Sequence, residues 1–233
     1  IDPHWVEAQE IAEPAEWHPA QQLITYLETL FDSEEHVGYV TRSFSNEDGK
    51  AMPTKGDWAR TAGQLVQALS ACGDDIGSVL GDYDPAVGAW IRFNPLDGKG
   101  IRNENVTAFR YALVGCDGMD IGLDLPVACL VPSGGKRVHA FDHIDAPDYP
   151  EYRKRVKYLY TVCRKNGLEL DQQNRNPSRL SRMPGVMRKE HKQFLIDTNI
   201  GKADFAEWRE FIESATDDLP DPESMSAVWV EMR

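Results

Sequence analysis

The chain is 233 residues long, 41% hydrophobic and 27% charged, which is enough for one large domain or two small ones with an ample core. No apolar stretch nears the ~18 residues of a membrane span, and no basic segment followed by an apolar run opens the chain. A cytosolic protein without a membrane partner is therefore expected, and a net charge of −13 argues at first against nucleic acid.

In chain order, residues 19–32 place Leu23, Ile24, Tyr26, Leu27 and Leu30 at helical spacing behind Pro19, an acceptable first-turn residue. Residues 36–44 alternate as a strand, 45–56 read as a polar loop, and 57–71 read as a helix capped by Asp57. Residues 88–94 form a strand that Pro95 ends, 96–105 a polar excursion, and 106–114 a second strand aimed at Cys116-Asp117. The apolar run 127–131, led in by Pro126, is a buried strand that ends at the glycines of Ser133-Gly134-Gly135-Lys136-Arg137-Val138-His139. Helices are expected over 152–165 and 203–215, the latter carrying Phe205, Trp208, Phe211 and Ile212. Interleaved strands and helices give α/β or α+β. Only about six residues, 121–126, separate the strand ending near Cys116 from the one starting at Val127, and a parallel crossover needs roughly a dozen. Either the two strands form an antiparallel hairpin, or the numbering runs continuously over a missing loop.

Cys72, Cys116, Cys129 and Cys163 are scattered without metal-ligand spacing and read as buried free thiols. The positive charge is concentrated: residues 152–192 hold twelve Lys and Arg against Glu169, Asp171 and Glu190, leaving the rest of the chain strongly acidic. Part of that run is explained as the solvated face of a helix. Arg175, Arg179, Arg182 and Arg188 are not, because they follow the helix-stopping Asn166-Gly167.

Three elements look chemical. Asp117 ends an apolar strand, with Asp120 three residues on; a lone carboxylate there is a metal or activating position in some sheets and a turn former in more. The Ser133 to His139 segment sets two glycines, which let the backbone approach a phosphate, beside Lys136 and His139. It is not a Walker loop, since the glycine-to-lysine spacing is wrong and no Ser or Thr follows the lysine. Leu170-Asp171 is followed by Arg175, Arg179 and Arg182 and by the Pro184-Gly185 turn.

Taken in this order, Ala112-Leu-Val-Gly-Cys-Asp117, Ser133-Gly-Gly-Lys-Arg-Val-His139 and Leu170-Asp171 resemble the three motifs of the archaeo-eukaryotic primase superfamily, especially the primase-polymerase modules of phages, plasmids and mobile elements. Residues 174–185 are similar to the Arg-rich segment that follows the third motif in the phage group. The resemblance covers roughly residues 90–208. It implies an archaeo-eukaryotic primase-type fold, with an RRM-like catalytic sheet flanked by helices. It also implies nucleotidyl transfer that makes or extends primers on a single-stranded DNA template, with (d)NTPs and Mg2+ or Mn2+. Asp117 and Asp171 would be metal ligands and, with His139, the catalytic set. Ser133, Gly134, Gly135, Lys136, Arg137, His139, Arg179 and Arg182 would bind the nucleotide. A helicase domain in the same or another chain is a further implied partner. On this reading 1–85 is an acidic N-terminal part of the module, 86–201 its catalytic core and 202–233 a C-terminal helix and tail.

One position departs from the pattern. The family's first motif carries two acids, and the residue two before Asp117 is Gly115. Either the chain carries an inactivating substitution, or it is a natural member that binds nucleic acid or nucleotide without catalysing, or Asp120 compensates. The last requires a residue three steps along a strand to serve a face opposite its own.

Overall fold

A computed structural model describes residues 13–117, 124–134, 137–168 and 170–215. Helix α1 (Pro19–Leu30) buries the predicted stripe Leu23, Ile24, Tyr26, Leu27 and Leu30. The expected strand over 36–44 is two pieces, β1 (Tyr39–Val40) and β2 (Ser43–Ser45), and β2 forms a hairpin with β3 (Ala51–Pro53) inside the expected loop. Helix α2 (Ala62–Ser70) starts later than predicted. Its N-cap is Thr61, in a reciprocal capping box with Gln64, and not Asp57. Asp57 is engaged elsewhere, exchanging backbone hydrogen bonds with Tyr39 while its carboxylate accepts from the Ala59 N–H.

The chain continues through α3 (Ile76–Leu80), β4 (Trp90–Arg92), a 3-10 turn, β5 (Phe109–Asp117), β6 (Val127–Gly134), β7 (Arg137–Ala146) and α4 (Tyr149–Lys165). A second 3-10 turn (Gln172–Arg175) precedes β8 (Leu180–Arg182), β9 (Met187–Arg188), β10 (His191–Lys192), β11 (Asp197–Ile200) and α5 (Phe205–Ala215). No described helix is long and apolar enough to cross a membrane. Cys72, Cys129 and Cys163 are free thiols, the last two buried; the Cys116 side chain lies outside the described residues.

The central sheet has the order β11-β6-β7-β5, with every pairing antiparallel, so the fold is α+β. β5 and β6 do not form a hairpin with each other. β7 lies between them and pairs antiparallel with both, so β5 and β6 run the same way two strands apart. Helices α4 and α5 cover one face through Tyr152, Val156, Leu159, Tyr160 and Trp208, packed on Ala112, Val114, Leu130 and Ala140. The other face presents Tyr111, Leu113, Val131 and Phe141 to α1, α2 and β4 in a second core. A smaller sheet, β1-β4-β8, lies against that second core through Tyr39 and Ile91.

The Pro184-Gly185 turn locks the small sheet to the start of α1. Gly185 has φ +85° and its N–H donates to the Gln193 carbonyl at 2.7 Å. A Cβ there would stand 2.4 Å from the Pro19 carbonyl oxygen, so the position needs glycine both for its backbone and for its space. Gly185→Ala is expected to cost ~2 kcal/mol or more, read in a thermal melt as a Tm lowered by about 4–8 °C.

Candidate active site

The apolar face of the central sheet gives way to polar side chains at one place. On β5, Gly115 follows the buried Leu113 by two residues and shares its face. His139 on β7 is directly opposite Gly115, with Val131 of β6 on its other side. The first and second sequence motifs therefore meet across one strand pair, through the antiparallel pairing of β5 with β7.

Two buried polar residues that sequence reasoning missed close the site. His139 Nδ1 lies 2.7 Å from Ser181 Oγ, and Ser181 is only 1% exposed. Strand β8 holds Ser181 there through antiparallel pairing of Ser181 with Ile91 on β4. Asn174, in the 3-10 turn after Asp171, is likewise buried. Its Nδ2 would lie 3.5 Å from a Cβ at position 115, and His139 Cδ2 and Nε2 would lie at 3.7 and 3.9 Å. These are ordinary contact distances, so position 115 has room for a Cβ.

The third motif reaches the same space. Asn174 Oδ1 accepts from Arg179 Nε at 3.1 Å, and an Arg179 terminal nitrogen stands 4.0 Å from Asp171 Oδ2. The other Asp171 oxygen accepts from the Gln173 N–H at 2.9 Å and starts the 3-10 turn. Beneath, the fully buried Asn94 fixes the frame. Its Nδ2 donates to the Tyr111 and Pro177 carbonyls, and its Oδ1 accepts from the Tyr111 N–H at 2.9 Å. An Asn in Phe93-Asn94-Pro95, at a strand end with Pro blocking continuation, is the signal that could have marked it.

Gly115, His139, Asp171 and Arg179 are thus brought together. Asp117 pairs with Arg137 in register, and Gly134 pairs with Arg137 from the other side. The side chains of Asp117, Ser133 and Arg137, and all of Gly135, Lys136 and Asp120, lie outside the described residues. Arg182 is not turned toward His139. It follows Ser181 by one residue, lies on the opposite face of β8, and sits over the Trp90 ring at 5.3 Å.

Among the described residues no group of three His, Cys, Asp or Glu side chains stands together to hold a metal ion. Gly115 offers no donor beside His139, and the Asp171 carboxylate is engaged by a backbone N–H and faced by Arg179. The described donors therefore fall short of the oxygen-rich set that Mg2+ or Mn2+ takes.

No family model matches the chain, and no curated protein does either. In fold it is similar to the primase-polymerase AEP domain of cyanophage S-2L, at 19% identity and TM-score 0.49, over 89% of this chain and 96% of that one. It is also similar to the catalytic domain of primase RepB', solved with initiator DNA, at 15% identity and TM-score 0.49, over 85% and 97%. A second RepB' structure matches at 17% identity and TM-score 0.45, over 84% and 64%. A likeness of this degree says nothing of which residues act or what they act on.

Proposed function

We propose that the chain is a primase-polymerase-type module that binds a nucleoside triphosphate and single-stranded DNA, and that its chemical step is weakened by the glycine at 115. The observation that carries the reading is the register Gly115 to His139, with Asn174, Arg179 and Asp171 closing on the same space. Three motifs far apart in sequence converge there, and each brings the chemistry that a nucleotide's phosphates and sugar require.

His139 is the group that would meet the triphosphate, held in orientation by Ser181 and able to donate a hydrogen bond to a phosphate oxygen. Gly134 ends β6 beside it, where a backbone without side-chain bulk admits a phosphate. Arg179 would supply a fixed cationic fork. Asp117 and Asp171 are the carboxylates that would face a divalent cation.

A second reading, a binding module without catalysis, is favoured by Gly115 itself. Both readings share nucleotide binding at His139. Isothermal titration of dTTP is expected to show at least a tenfold loss of affinity in His139→Ala, with Tm within about 2 °C of the parent. Unchanged affinity in the variant would remove the site from this role under either reading.

A further inference from the structure

The face of the small sheet turned away from Ile91 and Ser181 carries the buried Arg92 and the half-buried Arg182, with no acidic partner for either guanidinium among the described residues. Trp90, Arg92, Leu180 and Arg182 point to that face, away from Ile91 and Ser181, which point to the core and to His139. Arg92 is 6% exposed. Its side chain lies against Gly38, just before β1, where a Cβ would stand 2.6 Å from Arg92 Cδ and 2.9 Å from its Nε. Among the described residues no ion pair or hydrogen bond engages its guanidinium. Arg182, one diagonal step away on β8, stacks on Trp90 and makes one long hydrogen bond, to the Val87 carbonyl at 3.4 Å. Burial pushes both guanidinium groups down to about 10, and for Arg182 the like charge of Arg188 acts in the same direction.

Burying a guanidinium costs free energy that a carboxylate normally offsets. In a chain with 38 acidic residues, two desolvated arginines on one sheet face with no described acid beside them are poorly explained by stability alone. An anion that arrives from outside would offset the cost, and paired planar forks suit the oxygens of a phosphate.

We propose that Arg92 and Arg182 form a phosphate-binding site separate from the His139 cluster, occupied by a backbone phosphate of single-stranded DNA. The shared chemistry is a phosphate group, and a nucleotide's triphosphate is its other source. The backbone is favoured because β8 divides the two sites: Ser181 faces His139, and Arg182 faces away from it. This inference deepens the reading above by naming a second face that meets DNA, and the two can fail separately.

The test uses the whole chain, with Arg92→Met and Arg182→Met replacing each charge by an apolar side chain of comparable reach. Fluorescence anisotropy with a labelled oligothymidylate, titration with dTTP, and thermal melts are run on each. Each variant is expected to bind the oligonucleotide at least tenfold more weakly, with a salt slope shallower by about one. Its dTTP affinity should be unchanged, and its Tm equal to or above the parent's, because an uncompensated charge has been removed. A fall in dTTP affinity alone keeps the phosphate site and reassigns its occupant to the nucleotide. A lowered Tm with both affinities intact overturns the site and makes the arginines structural. His139→Ala serves as the control: failure of its dTTP effect refutes the nucleotide site and leaves the Arg92 result standing.

Discussion

Gly115→Glu is expected to raise primer extension by on the order of 100-fold or more, in a gel-resolved assay with labelled primer-template and Mn2+ or Mg2+. The position is in mid-strand with ordinary backbone angles, and an added Cβ would make contacts no closer than 3.5 Å. The fold should therefore accept the change, and a glycine in a strand interior is a weak β residue to lose. The new side chain would start beside Asn174 Nδ2 and His139. Its carboxylate would add a hard oxygen donor, of the kind a divalent cation takes, to those proposed at Asp117 and Asp171. A second readout does not depend on turnover. Mn2+ should raise the Tm of the Glu variant more than that of the parent, since a ligand that binds only the folded state stabilises it. If the variant neither extends primers nor responds to Mn2+, the chain is a binding module and position 115 is not a lost ligand.

Asp142→Asn is expected to stabilise the protein increasingly as pH rises. Asp142 is fully buried on β7, on the face covered by α4, and neither carboxylate oxygen has a hydrogen-bond partner. Burial pushes its carboxyl up to about 8. The folded chain thus holds a proton that the unfolded chain releases near the ordinary carboxylate value, and unfolding is favoured as pH rises between the two. The contribution is fully present below the unfolded value and is lost as pH climbs through about 8. At about 1.4 kcal/mol per pH unit, the difference between parent and variant should grow by about 4 kcal/mol from pH 5 to pH 8. In thermal melts that corresponds to a gap widening by about 8–16 °C. A gap that stays constant across this range would mean that Asp142 does not change its protonation on unfolding.

The elements read best in the sequence were those set by local chemistry. The stripe of α1, the end of β6 at Gly134, and the breaks at Pro95 and Asn166-Gly167 all rest on residues adjacent to the feature they create. The second helix was placed too early because Asp57 and Thr61 are both good caps, and only the pairing of residue 57 with Tyr39 excludes the first. A β5 to β6 hairpin was one of two readings of the short separation in sequence, the other being a missing loop. β7 displaces it by offering both strands a long antiparallel partner, a long-range outcome that no local pattern carries. In the site, Gly115, His139 and Asp171 were legible as residue types in order. Ser181, Asn174 and Asn94 were not, since a buried Ser or Asn is distinguished from a surface one only by what packs around it.

The site is also late in the order in which the chain is made. His139 has its sheet once β7 has left the ribosome, yet Ser181 and Arg179 come some forty residues afterwards, and β11, the partner of β6, later still. Until they arrive, β4 lacks its β8 neighbour and β6 presents an open edge of apolar Val127, Leu130 and Val131. Such an edge invites pairing with another nascent chain. A fragment ending at α4 would keep His139 but would have neither Ser181 beside it nor a protected sheet edge, so the smallest unit expected to stay soluble should extend through β11.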